Sequence, residues 1–163
     1  MARRVFFSFH YERDIWRANV VRKSWVTQPG REDAGFWDAS LWENSKRLGN
    51  DAIRHLIDEG LKNTSVTAVL IGAETADREW VQYEITESCK RGNGLLGIHI
   101  HNIADENRRT DPEGANPFGR FTIERNGRKV YLSEIYSVYD WVYGNGYGNL
   151  GAWVEAAARA AGR

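Results

Sequence analysis

Apolar runs alternate with helical apolar stripes along the first hundred residues of the chain. Short β-branched and aromatic runs predict buried strands, whereas apolar residues that recur every three or four positions predict helices. The clearest run, residues 66–72, is nearly continuous, as is typical of a central parallel strand. The predicted strands are residues 5–9, 35–38, 66–72 and 95–100, and the predicted helices are residues 14–26, 50–61 and the segment around 80–89. This order indicates a parallel α/β sheet with helices on both faces.

The chain after residue 100 is more polar and richer in turns. An Asn126-Gly127 turn between two short extended segments predicts a hairpin. We predict a polar, Trp-bearing connection at 39–49, a long loop at 101–120, the hairpin at 121–132, a final strand or extended segment at 137–141, and a closing helix at 149–161. No repeat or second domain is evident, so residues 1–163 are predicted to form a single domain with a small hairpin insertion near its C-terminal part.

Charge and composition exclude several classes of partner. Twenty-two basic residues balance 22 acidic residues, so no net field favours nucleic acid or an anionic membrane. The basic start of the chain meets Ser8 and His10 too soon for a signal peptide, and no stretch approaches the ~20 apolar residues of a membrane span. We therefore expect a cytoplasmic protein. The single cysteine, Cys89, allows no internal disulfide and is expected to be a small buried hydrophobe.

Candidate chemistry is expected beyond the carboxyl ends of the strands, where parallel α/β sheets bind ligands. Residues 9–11 follow the first predicted strand, Asp38 ends the second, and residues 72–74 follow the third. His99 and His101 close the fourth, where strand alternation predicts that one faces inward and one outward. No further ligand has the required spacing, so no metal site is expected there.

Several enzyme classes are disfavoured because their motifs are missing from the sequence. No GxGxxG follows the first predicted strand, and neither GxxxxGK[ST] nor GxSxG occurs. These absences argue against a dinucleotide-binding dehydrogenase, a P-loop enzyme and an α/β-hydrolase. The first strand also ends without the paired acidic residues that would hold Mg²⁺ in a receiver-type phosphate acceptor.

Glu84 is the most informative single residue. It lies four positions after Trp80 in a helix whose apolar residues include Val81, Ile85 and Cys89. A carboxylate at the apolar edge of a helix costs folding free energy unless it pairs with another group, and it is otherwise expected to have a function. Spacing alone favours an edge glutamate that reaches water or pairs with an arginine. A functional carboxylate is the other interpretation.

The blocks around Glu84 resemble those of TIR-type domains. "RRVFFSFHY", "SVTAVLIG" and "REWVQYEI" leading into "GLLGIHI" carry this resemblance, and Trp80 and Glu84 match the W-x-x-x-E arrangement of NAD-cleaving TIR domains. "NVVRKSWVT", "DASLWENSKR", "NPFG" and "SVYDWVYGNGY" are similar to the TIR-like ThsB family of Thoeris anti-phage defence systems. The resemblance covers almost the whole chain, although the segment between "NPFG" and "SVYDW" is shorter here. It implies a flavodoxin-like TIR fold with a parallel sheet of about five strands.

The same resemblance implies an enzyme that breaks the nicotinamide–ribose bond of NAD and makes a cyclic ADP-ribose isomer as a second messenger. Glu84 is then the catalytic residue, NAD is the substrate, and no cofactor or metal is expected. The implied substrate-binding residues are Phe9, His10, Tyr11, Asp38, Trp42, Ser45 and Trp80. Either Phe9 or Tyr11 is expected to stack on nicotinamide or adenine. A separate effector protein that senses the product is implied, and self-association is common among TIR domains.

Other functions stay open on the sequence. Hydrolysis to ADP-ribose is the alternative to cyclisation, and no residue pattern decides between them. A non-catalytic TIR-like interaction module would not need Glu84 in a pocket. A nucleoside or nucleotide glycosyl transferase of similar fold would use a glutamate on another base.

Overall fold

Five parallel strands form the central sheet in the computed structural model, which describes residues 3–37 and 39–163. The elements in chain order are β1 (Arg3–Ser8), α1 (Tyr11–Val26), β2 (Arg31–Ala34), α2 (Ala39–Leu48), α3 (Asn50–Leu61), β3 (Val66–Ile71), α4 (Glu79–Arg91), β4 (Gly94–His99), β5 (Thr122–Arg125), β6 (Arg128–Tyr131), β7 (Val138–Asp140) and α5 (Gly146–Ala160). The strand order in the sheet is β2-β1-β3-β4-β7. All six residues of β3 are buried, as expected of a central strand covered on both faces.

Side-chain alternation along β1 divides the core between the two faces of the sheet. Phe7 belongs to the cluster that includes Trp25 of α1 and Leu150 of α5, whereas Phe6 packs with Ile57 of α3. Helix α4 covers the second face further along, where Ile85 packs against residues of β3 and β4. The prediction of a parallel α/β sheet of about five strands with helices on both faces is confirmed.

Strand β2 lies four residues earlier than predicted. The apolar pattern pointed to residues 35–38, but the strand runs over Arg31–Ala34. At Gly35 the backbone has φ +90°, and a Cβ there would lie 2.4 Å from the Phe7 carbonyl oxygen. The chain therefore turns out of the sheet at this glycine. A polar sequence suffices for β2 because it is an edge strand with only one neighbour.

The predicted connection at residues 39–49 is wrong, because helix α2 occupies most of it. Trp42 and Ser45, three positions apart, are the buried residues of this helix, whereas Leu48 is 72% exposed. Only a narrow stripe of α2 is covered, so its sequence lacks the apolar periodicity of a core helix. Gly49, at φ +109°, separates α2 from α3.

The C-terminal elements are close to prediction. The hairpin of β5 and β6 turns at Asn126 and Gly127, both with positive φ. Strand β7 pairs in parallel with β4, so the segment that was predicted as strand or extended chain joins the sheet. Helix α5 begins at Gly146, three residues before the predicted start. No helix within the described residues is long and apolar enough to cross a membrane.

Candidate functional site

A narrow pocket of about 30 Å³ lies at the carboxyl end of β1. Its walls come from the start of α1, the chain after β2, helix α2, and the first two turns of α4. The lining residues are Phe7, Phe9, His10, Tyr11, Glu12, Gly35, Trp37, Trp42, Arg78, Trp80, Val81 and Glu84. Its walls are mainly aromatic with few polar groups.

Glu84 lies on the core-facing stripe of α4 rather than at its edge. The buried residues of this helix are Val81, Glu84, Ile85 and Ser88, which repeat at the spacing of a single helical face. Glu84 is 3% exposed and forms no ion pair within the described chain. The interpretation of Glu84 as an edge residue that reaches water or pairs with arginine is therefore wrong.

The electrostatics of Glu84 are those of a desolvated acid. Burial raises the pKa of its carboxyl group to about 8, while the neighbouring Ser8 hydroxyl acts in the opposite direction. Neither Glu84 Oε2 nor Ser8 Oγ makes a hydrogen bond of standard geometry to another described group. A buried carboxyl oxygen that lacks a hydrogen bond, in a residue that lines a pocket and has a strongly shifted pKa, marks a candidate functional site.

Stacked aromatic rings form one wall of the pocket. Phe9 stacks on Tyr11 at 5.8 Å between ring centroids, and Tyr11 is followed by Trp42 at 5.1 Å. Trp42 in turn stacks on Trp37 at 5.6 Å and 15° between ring planes. The Tyr11 hydroxyl donates to the Trp37 carbonyl oxygen, which ties the start of α1 to the chain after β2. Such rings offer flat apolar faces to a planar ligand.

His10 has a structural role as the N-cap of α1. Its Nδ1 accepts the backbone N–H of Arg13 at 3.4 Å, so the neutral ring carries its proton on Nε2, which lies 3.8 Å from Glu74 Oε1. Burial lowers the pKa of His10, and the positive charge of Arg78 lowers it further. His10 is therefore neutral near pH 7 and still lines the pocket.

The structure gathers most of the predicted site residues into one place. Trp80 lines the pocket and meets Tyr83 edge-on at 5.9 Å. Ser45 does not line it and is buried one turn further along α2 from Trp42. Asp38 lies outside the described residues. The predicted residues that line the pocket are Phe9, His10, Tyr11, Trp42, Trp80 and Glu84.

Several lining residues are not predicted from the sequence. Trp37 falls in a predicted strand, and Arg78 is not among the predicted site residues although it stands directly before the helix that carries Glu84. Glu12 in the first turn of α1 also lines the pocket and forms an ion pair with Lys46 of α2. Each of these residues is close in sequence to a predicted site residue, and this proximity is the feature from which they could have been predicted.

The histidines after β4 form a separate cluster. The expectation that one faces inward and one outward is wrong: residues two positions apart lie on the same side of a strand, and the two ring centroids are 5.5 Å apart. Both rings are largely covered. Within residues 3–37 and 39–163, no group of three or more His, Cys, Asp or Glu side chains is placed to hold a metal ion.

The pocket combines one buried acid, an aromatic wall and one arginine. An ionised carboxylate in such a place stabilises a positive charge that develops next to it, more strongly than it would in water. The flat rings provide stacking surfaces for a base. The arrangement suits chemistry on a nucleotide in which a cationic centre forms near Glu84.

Comparison with known proteins identifies the family of this chain. The family described as "Thoeris protein ThsB, TIR-like domain" matches residues 6–105, a range that holds every pocket-lining residue. A relative from Bacillus cereus (strain MSX-D12), named "Putative cyclic ADP-D-ribose synthase ThsB1", is 39% identical over 192 residues, covering 95% of this chain and 100% of the relative. The chain has 163 residues, so that alignment includes positions of the relative without a counterpart here. The chain belongs to the Thoeris ThsB family of TIR-like proteins.

Proposed function

We propose that this protein cleaves the nicotinamide–ribose bond of NAD at Glu84 and joins the resulting ribose to another part of the same molecule, forming a cyclic ADP-ribose isomer. The observation that carries the proposal is a buried carboxyl group on α4, one turn after Trp80 in an aromatic pocket, with one oxygen that lacks a hydrogen-bond partner among the described residues. The printed name of the Bacillus cereus relative, a cyclic ADP-D-ribose synthase, supports the same reaction.

The chemistry needs one carboxylate. When the bond between C1′ of the ribose and the ring nitrogen breaks, its electron pair leaves with nicotinamide and positive charge spreads over C1′ and the ring oxygen. Ionised Glu84 stabilises that charge as it develops, which lowers the barrier. Nicotinamide leaves as a neutral base, so no general acid is required, in contrast to most glycosidases with two carboxyl groups.

The aromatic walls favour attack by the substrate itself over attack by water. A ring nitrogen or ribose hydroxyl of the same molecule forms the new bond to C1′, and a hydroxyl releases its proton. Phe9, Tyr11 and Trp42 line the same pocket as Glu84, and a base bound among these rings would displace water. Water attack would give ADP-ribose instead.

The experiment that tests the proposal is incubation of the purified protein with NAD and resolution of the nucleotide products by mass spectrometry. A product at the mass of ADP-ribose less one water supports a cyclase, and plain ADP-ribose indicates a hydrolase. Glu84→Gln serves as the inactive control, and Glu87→Gln, whose carboxylate pairs with Lys90 on the same helix, as the matched active control. No turnover, either alone or in lysate from infected cells, would favour the non-catalytic interaction module.

The pH dependence follows from the raised pKa of Glu84. In the empty protein the carboxyl group is mostly protonated below pH 8 and must ionise to act. We expect kcat/KM for NAD to rise with pH and to level off above about pH 8. We expect kcat to level off at lower pH, because the cationic nicotinamide ring of bound NAD favours the ionised carboxylate.

Rates measured from pH 5.5 to 9.5 would check this profile. His10 is not a competing explanation, since its pKa is lowered and it is already neutral where Glu84 titrates. A kcat/KM that is constant across this range would contradict the assignment of Glu84 as the titrating group.

Two further expectations stay predictions: a separate effector protein that senses the product, and self-association of this chain.

A further inference from the structure

One described lining residue of the pocket carries a permanent positive charge. Arg78 stands directly before α4, and its exposed side chain lines the pocket that holds Glu84. The other basic group in the lining, His10, is neutral near pH 7. Guanidinium is ionised at any physiological pH, so Arg78 sets the positive potential at this opening.

Arg78 lies close enough to Glu12 for its charge to act on that carboxylate, but within the described residues it forms no direct ion pair. Its guanidinium makes no ion pair or hydrogen bond within residues 3–37 and 39–163. Its hydrogen bonds are those of the backbone, from its N–H to the Thr75 carbonyl oxygen and from the Gln82 N–H to its own carbonyl oxygen. The nearby acids are held by other cations: Glu12 pairs with Lys46, and Glu74 lies 3.5 Å from Arg13. A guanidinium without a local partner at the mouth of a pocket is available to an anionic ligand.

The position of Arg78 relative to Glu84 fits the anionic part of the proposed substrate. Glu84 comes six positions after Arg78, which corresponds to about 9 Å along the helix axis. Under the proposed function, C1′ of the nicotinamide ribose must reach Glu84. The same ribose carries the pyrophosphate on C5′, on the side of the sugar away from the reacting bond.

We propose that Arg78 binds the pyrophosphate of NAD and so selects the dinucleotide over nucleosides without phosphate, an inference that rests on the proposed function of the site. A planar guanidinium donates two parallel hydrogen bonds to phosphate oxygens, whereas an ammonium group acts as a point charge. Arg78→Lys is therefore expected to retain part of the effect, and Arg78→Ala none of it.

The first arm of the test is kinetic. For Arg78→Ala we expect kcat/KM for NAD to fall roughly 10- to 100-fold, mainly through KM, which is the range for loss of hydrogen bonds to a charged group. With nicotinamide riboside, which has no phosphate, we expect the variant and the wild-type protein to be equal. Arg128→Ala is the matched control, because Arg128 is an exposed arginine on the distant hairpin.

The second arm measures binding without turnover. ADP-ribose has the pyrophosphate but no nicotinamide bond to cleave, and its affinity is measured by calorimetry for the wild-type protein, Arg78→Ala, Arg78→Lys and Arg128→Ala. We expect at least a tenfold loss for Arg78→Ala, a smaller loss for Arg78→Lys, and weaker wild-type binding at higher salt.

The two arms separate the failure of this inference from that of the proposed function. Equal losses with NAD and nicotinamide riboside, or unchanged ADP-ribose affinity in Arg78→Ala, would overturn the role of Arg78 whether or not NAD is cleaved. ADP-ribose binding that depends on Arg78, in a protein that cleaves no NAD, would support the pyrophosphate contact and refute the reaction.

Discussion

Replacing Glu84 with glutamine is expected to abolish NAD turnover and at the same time to stabilise the protein. Glutamine keeps the shape of the side chain but supplies no negative charge to a developing cation, so we expect a loss of at least about 10³-fold in kcat. The stabilisation follows from burial, which raises the pKa of Glu84 from 4.5 to about 8. Replacing a functional side chain often stabilises a protein when keeping that side chain in its site costs folding free energy.

The sign of the pH effect is set by that raised pKa. The folded protein holds the Glu84 proton more tightly than the unfolded chain, so this group favours folding most below pH 4.5 and progressively less as pH rises through 8. Glutamine does not titrate. The stability of Glu84→Gln relative to the wild-type protein should therefore increase by about 3 kcal/mol between pH 5 and pH 8.

Urea denaturation of both proteins at a series of pH values measures this difference. Asp14 is another buried acid, with a pKa raised to about 6, but it is present in both proteins and cancels in the comparison. Glu87→Gln, with its carboxylate in a surface pair with Lys90, should show no such trend. A stability difference independent of pH would mean that Glu84 is ionised at neutral pH in the empty protein.

Replacing Arg17 with alanine is expected to cost about 3–5 kcal/mol of folding stability, the range for breaking a buried charge network. The side chain is 3% exposed and donates from Nε to the Ile103 carbonyl oxygen at 2.7 Å. Its two terminal nitrogens donate to Asp111 Oδ2 and to the Arg109 carbonyl oxygen, both at 2.9 Å. Helix α1 thereby holds the long segment after β4 against the sheet.

The loss arises mainly from the groups left behind. Asp14 is fully buried, lies 3.9 Å from Arg17, and has no hydrogen bond to its side-chain oxygens from any described residue. Without Arg17, the pKa of Asp14 should rise further, because the nearby positive charge now holds it down. Arg17→Lys should recover only part of the stability, since lysine cannot make the three directed hydrogen bonds.

Urea denaturation gives the size of the effect, and amide hydrogen exchange gives its location. Faster exchange in residues 101–111 is expected for Arg17→Ala. Lys23→Ala on the exposed side of the same helix is the control and should change stability by less than about 0.5 kcal/mol. A similarly small change for Arg17→Ala would refute the network as a source of stability.

The sequence predicted the fold well where burial is uniform. Strands β1, β3 and β4 have apolar residues on both faces, so their runs stand out, and Val69 and Ile98 are among their fully buried residues. The predictions for edge strand β2 and helix α2 were wrong because each element is covered on one side only. Their sequences are set by solvent as much as by the core, and the apolar pattern carries little signal there.

The candidate site was also predicted in part. The rule that ligands bind at the carboxyl ends of strands, together with the family resemblance, predicted lining residues after β1, such as Phe9, and on α4, such as Glu84. The burial of Arg17 is not predictable in the same way, because nothing in the local sequence shows that a segment more than 80 residues later will cover it. Long-range contacts of this kind are not encoded in local periodicity.

Helix α2 and helix α4 contribute to the same pocket but are attached to the protein in different ways. Helix α4 packs on the sheet through Val81 and Ile85, whereas α2 packs mainly against α3. Substitutions in α2 can therefore reshape the wall around Trp42 without disturbing the position of Glu84. Changes in α2 would then alter which molecules fit the pocket, while the sheet keeps Glu84 in place.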